Sequence, residues 1–115
     1  MYTCGYCERV NAVERYQPDP VAENALRGLG DHIVAWRKLH LLTQEQLAQR
    51  AGVSRPVVTR LERGEEGVGI GALMRVLVVL GVENDILTAL DPYQSRFGRE
   101  LADRAQVQRV RRPAR

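Results

Sequence analysis

The chain has 115 residues, of which 44% are hydrophobic and only 5% aromatic, with 17 Lys and Arg against 14 Asp and Glu for a net charge of +3. That length suits one domain with short appendages, and its core must be aliphatic, chiefly Leu and Val. Two cysteines argue against a disulfide-rich secreted scaffold, no apolar run approaches the roughly 20 residues of a membrane span, and polar Thr3, Glu8 and Arg9 stand where a signal peptide needs an apolar core, so a cytoplasmic protein is expected.

Residues 1–20 show no clear period and end in Pro18-Asp19-Pro20, which reads as an N-terminal arm, loose or docked onto a partner. Cys4 and Cys7 form a CxxC within it. A structural zinc site usually needs four ligands, and neither a second CxxC nor a histidine pair is near; His32 and His40 are eight apart on the first predicted helix. A redox dithiol would sit at a helix start beside a strand-rich pattern, which is missing. The pair reads as inert, with a metal site (shared across a dimer or not) and a redox response as alternatives, and no cofactor is expected.

The main domain is expected over residues 21–92. Asp19-Pro20 is a helix start with Pro20 at the first helical position. Leu26, Leu29, Ile33, Trp36 and Leu39 then recur at three- or four-residue spacing, the signature of an amphipathic helix with Trp36 as a core anchor. Gly28 and Gly30 weaken its first half and leave room for a break near residues 28–31.

The stretch LTQEQLAQRAGVSRPVVTRLERG, from Leu42 to Gly64, organises the chain. Thr43 can cap a helix and Gln46 can answer its backbone N–H, a capping box, with Leu42 and Leu47 as the hydrophobic staple. Gly52 sits where that helix must end, at a position suited to positive φ. The pattern repeats: Ser54 caps a second helix, Val53 and Val58 staple it, and Pro56 falls in its first turn, where no intrahelical donor is needed. Two helices and a short glycine turn make a helix-turn-helix. Small Ala48 lets the helices approach, and Leu47, Ala51, Val53, Val58 and Leu61 supply the inner surface. At about 100° per residue, Ser54, Val58 and Leu61 share one side of the second helix. The opposite arc collects Arg55, Pro56, Thr59, Arg60 and Arg63, a compact cationic face without an acid, as a helix entering the major groove requires. Arginine's planar fork matches guanine O6 and N7, or a phosphate. Glu62 lies on the flank nearer the core, placed to pair with an arginine inside the protein.

This block resembles the phage Cro/repressor-like helix-turn-helix family, often called XRE, through Gln44, Ala48, Gly52, Val58, Leu61 and the closing Glu62-Arg63-Gly64. The resemblance covers roughly residues 26–90. It implies base readout by Arg55, Pro56, Thr59 and Arg60. It also implies a phosphate contact from the Gln44 side chain or backbone N–H, aided by the helix terminus. Thr43, Ser54 and Arg63 are expected on phosphates as well. Arg37 matches the family arginine that pairs internally with Glu62. A helical hairpin with a merely solvated arginine face, and a helix-turn-helix reused for protein contact, are the bland alternatives; the agreement of caps, turn and inward residues favours DNA.

After Gly64, Glu65, Glu66, Gly67 and Gly69 read as a flexible loop. Related domains often carry neutral or basic residues here, so the two acids either weaken affinity or turn the loop away from DNA. A helix follows from Ile70, rich in Leu73, Val76, Leu77 and Leu80 and stopped at Gly81. Met74, Val78 and Val79 widen its apolar surface beyond one stripe, which suggests burial against a second subunit. A short fifth helix runs from Asn84 to Leu90 with Ile86 and Leu87, and Asp91-Pro92 ends it. Residues 93–115 contain a candidate helix from Arg99 to Ala105 and a basic tail with Arg104, Arg109, Arg111, Arg112 and Arg115. That tail is read as solvated, bound to phosphate, or bound to an acidic protein surface.

The expected fold is thus all-α: a five-helix Cro/repressor-like domain with a flexible N-terminal arm and a basic C-terminal tail. The spacing DPY–RFGRELA–QRVRR further resembles the tail of HipB-type antitoxin repressors, which implies a homodimer that binds an operator ahead of its own gene and holds a HipA-like kinase toxin. The alternatives are a free-standing XRE or phage-type repressor, and a thiol- or metal-responsive regulator using Cys4 and Cys7. An enzyme is not expected, since there is no Gly-rich phosphate loop, no paired metal motif and no cysteine–histidine arrangement.

Overall fold

The structure is a computed structural model that describes residues 17–111, with side chains described as far as residue 107. Cys4 and Cys7, and Arg112 and Arg115 of the basic terminus, lie outside the described residues. Among the described residues there are six α-helices, one short 3₁₀ turn and no strand. They are α1 (Pro20–Leu39), α2 (Gln44–Ala51), α3 (Arg55–Glu62), α4 (Ile70–Leu80), α5 (Glu83–Leu90), the 3₁₀ turn (Pro92–Gln94) and α6 (Arg96–Arg111). No described helix is long and apolar enough to cross a membrane.

Helix α1 begins where the Asp19 carboxylate accepts from the amides of Val21, at 3.0 Å, and Ala22, at 3.4 Å, with Pro20 at the first position. It runs unbroken through Gly28 and Gly30, so the break allowed for near residues 28–31 does not occur. Gly30 is there for close approach instead: a Cβ at this position would lie 2.5 Å from the Glu62 carbonyl oxygen of α3.

The inner stripe of α1 is Gly30, Ile33 and the half-buried Arg37, which corrects the reading of Trp36 as a core anchor. Trp36 is 41% exposed and Leu39 74%. The α3 main chain and the Glu62 carboxylate claim the inner face, and that rotates the Trp36 edge outward. The indole lies beside the His40 ring, with centroids 6.1 Å apart. His40 Nε2 in turn bonds the Leu80 carbonyl at 2.9 Å, tying the end of α1 to the end of α4.

The core takes one fully buried large side chain from each of the first three helices and two from the fourth: Ile33, Leu47, Val58, Val76 and Leu80. Leu42, Ala48, Ala51, Leu61, Leu77 and Val82 complete the cluster. Full burial of a Val, Leu or Ile side chain contributes about 1.5–3 kcal/mol. This aliphatic cluster holds the crossings α1–α3, α2–α3 and α2–α4 together. Of the residues that widen the apolar surface of α4, Met74 and Val79 are half-buried against the core and Val78 is exposed.

The C-terminal segment differs from expectation. The candidate helix Arg99–Ala105 extends to the 16 residues of α6, which follows the five helices of residues 20–90. Ser95 starts it: its hydroxyl accepts from the Gly98 amide at 2.9 Å and its carbonyl from the Arg99 amide at 3.0 Å. Arg96 and Glu100 pair at i,i+4, and Arg, Glu, Leu, Ala and Gln are strong helix formers. The weak apolar period here conceals a helix that propensity and capping support. It packs chiefly on the 3₁₀ turn.

The two glycines of α1 give a paired test. A Cβ on Gly28 would have open space for 4 Å around it, whereas one on Gly30 would meet main chain. Gly28→Ala should stabilise by about 0.5–1 kcal/mol through helix propensity, and Gly30→Ala should destabilise by about 1–3 kcal/mol through overpacking. Urea denaturation checks both; equal effects would contradict the crossing geometry.

Candidate nucleic-acid interface

The two helices of the turn are positioned by local chemistry. The Thr43 hydroxyl accepts from the Gln46 amide at 3.1 Å, and the Gln46 side chain accepts from the Thr43 amide at 2.9 Å, closing the capping box of α2. Helix α2 ends at Gly52, whose φ of 72° reverses the chain toward α3. Ser54 occupies the N-cap position of α3, but its hydroxyl makes no capping bond, which corrects its reading as a side-chain cap. The reason is a shortage of donors. Pro56 has no N–H, and the Val57 and Val58 amides both donate to the Ser54 carbonyl, at 3.1 and 3.3 Å. The hydroxyl stays at the surface.

Helix α3 turns Val58 and Leu61 into the core. On its other side Arg55, Pro56, Thr59, Arg60 and Arg63 come together around one shallow, open depression. Arg55 is exposed and has no ion pair among the described residues.

Behind this face runs a hydrogen-bonded chain. Arg37 Nε donates to Glu62 Oε2 at 2.6 Å, and Arg37 Nη2 to Glu62 Oε1 at 3.2 Å, a bidentate pair. Arg37 Nη1 donates to the Leu42 carbonyl at 2.9 Å. Gln44 Nε2 donates to Glu62 Oε1 at 2.8 Å, and the Thr59 hydroxyl donates to Gln44 Oε1 at 3.0 Å. The carboxamide of Gln44 is therefore engaged inside the protein. What α2 can offer an anion is its first-turn amides, which a helix leaves without intrahelical partners.

The acid-free reading of the face holds for α3 itself, but the next loop brings an acid to it. Glu65 accepts from Arg60 Nε at 3.3 Å and pairs with Arg63 Nη1 at 3.8 Å. The sequence signal for this was Gly64: a left-handed residue just after a helix folds the following residue back over the last turn. Among the described residues no group of three or more His, Cys, Asp or Glu could hold a metal ion.

Residues 33–87 match the family model described as Helix-turn-helix, which is of the XRE type. No curated protein and no solved structure matches the chain. The matched span covers α2 and α3, the turn between them, the last two turns of α1, all of α4 and part of α5. Over residues 33–87 the chain is thus similar to XRE-type helix-turn-helix domains, the kind carried by DNA-binding transcriptional regulators.

Proposed function

We propose that the protein is a sequence-specific regulator of transcription that binds a double-stranded DNA operator with α3 in the major groove. The observation that carries this reading is the gathering of Arg55, Pro56, Thr59, Arg60 and Arg63 on one exposed face of a helix otherwise locked into the core. A B-DNA major groove admits an α-helix, and Arg55 and Arg60 carry forks suited to guanine O6 and N7. Pro56 offers an apolar surface to a thymine methyl, and Thr59, its hydroxyl engaged by Gln44, offers a methyl to a base edge. Phosphates are taken by the first-turn amides of α2 at Gln44, by Thr43, by the free hydroxyl of Ser54 and by Arg63, which fix the register without reading sequence. No chemistry on the DNA is required, and the protein acts in the cytoplasm on the nucleoid.

The active form in this reading is a homodimer. Exposed Val78 on α4, with Leu87 and Leu90 on α5, leaves apolar surface for a second subunit. A two-fold dimer reads two half-sites about one helical turn apart.

Selection of duplexes from a randomised pool, followed by fluorescence anisotropy, tests the proposal. The selected sequence should contain two related half-sites spaced by about 10 base pairs or a multiple. Arg55→Ala and Arg60→Ala should each cost about 1–3 kcal/mol on that sequence and relax its preference. Undiminished affinity in both variants would remove α3 from base readout.

A finer reading makes the protein the autorepressing antitoxin of a HipBA-like pair. The resemblance of the DPY–RFGRELA–QRVRR spacing supports it over a free-standing XRE repressor, as do Phe97 and Leu101, which stand exposed on α6. Purification of the tagged chain from its host should bring down a stoichiometric kinase-like protein. DNA alone, from a host expressing such a kinase, would remove the toxin and leave the repressor.

A further inference from the structure

We propose that Glu65 serves as an internal stand-in for a DNA phosphate, holding Arg60 and Arg63 away from nonspecific duplex and so setting how sharply α3 discriminates among sequences. The proposal rests on the DNA-binding reading and adds to it a specificity-determining residue outside α3.

Both oxygens of the Glu65 carboxylate are used, Oε1 by Arg60 at 3.3 Å and Oε2 by Arg63 at 3.8 Å. A carboxylate presents paired anionic acceptors to guanidinium groups much as a phosphate does. The position of Glu65 is fixed by main chain. Its amide donates to the Arg60 carbonyl at 3.1 Å and the Gly64 amide to the Leu61 carbonyl at 3.0 Å, while Gly64 has a φ of 71°. That turn is backed by α1: a Cβ on Gly64 would lie 2.7 Å from the Arg27 Cα. The main chain that carries this carboxylate is thus held against the end of α3 and α1.

The Arg60 guanidinium is drawn back over the loop, with Nη2 lying 3.6 Å from where a Cβ on Gly67 would be. Base readout by Arg60 therefore begins with release from Glu65. These side chains are 45% and 42% exposed, and an ion pair so open to water is weak enough for a matched partner to displace. A guanine edge with a well-placed phosphate can displace Glu65. The diffuse field of an unmatched duplex competes poorly, so nonspecific complexes form with fewer arginines on phosphates. Each phosphate left unneutralised flattens the salt dependence by about 0.9.

The test titrates the full chain and Glu65→Gln with two duplexes across a salt series, one of random sequence and one selected by the wild-type protein. Glu65→Gln should bind the random duplex about 3- to 10-fold more tightly, with a salt slope steeper by about 1, while the selected duplex gains less and the specificity ratio falls. Asp85→Asn makes the same charge change in the first turn of α5 and should leave that ratio unchanged. Equal gains on both duplexes, a random-duplex affinity within about twofold of wild type, or the same gain from Asp85→Asn would overturn the role of Glu65 while leaving DNA binding in place. If neither protein, shown folded by circular dichroism, binds either a random duplex or any member of the pool, the DNA-binding reading fails and the proposal fails with it.

Discussion

The contact between Arg37 and Glu62 governs how the two helices of the turn are held. Burying a carboxylate whose side chain is 5% exposed carries a desolvation cost that only a full set of donors offsets. Here Arg37 supplies two of them and Gln44 a third, while Arg37 also ties down the Leu42 carbonyl ahead of α2. One charged pair thus joins α1, the segment entering α2, α2 itself and α3. Removing one partner of such a pair would leave a buried charge unpaired, so this arrangement of the helices depends on the set being complete. The same residue sets the main-chain approach, since the Glu62 carbonyl leaves room only for glycine at position 30. Through Gln44 the network reaches Thr59, on the face proposed to meet DNA.

How much of this was legible in the sequence depends on how local the physics is. Thr43 with Gln46, Gly52, Gly81 and Asp19-Pro20 each act within a few residues, and their motifs mark element ends directly. Ser54 shows the limit of such motifs, because a cap needs a donor and the proline two residues on removes one. Trp36 fails for a different reason: apolar spacing measures a helix face, but the neighbour decides which part of that face is inside. At α1 the neighbour is a main chain and a carboxylate, so glycine and arginine took the inner positions. The full length of helix α6 escaped a periodicity reading because its stability comes from propensity and the Ser95 cap, with little apolar burial.

The candidate site was legible as a set of residues and not as an electrostatic state. Spacing alone gathers Arg55, Pro56, Thr59, Arg60 and Arg63, and the structure brings these five around one depression. What spacing does not show is that Glu65, returning through the Gly64 turn, already occupies two of the arginines. A net charge of +3 is modest for the proposed role of finding an operator among phosphates. Among the described residues Arg55 has no ion pair, while Glu65 holds Arg60 and Arg63; in the proposed reading that arrangement favours discrimination over raw attraction.

The central claim, that α3 and the start of α2 meet duplex DNA, is tested most directly by backbone amide NMR of the full chain titrated with duplex. Shift changes should concentrate at Thr43 to Glu45 and at Arg55 to Arg63, with the core amides of α1 and α4 little moved. Changes centred on α5 and α6 instead, with α3 silent, would contradict it.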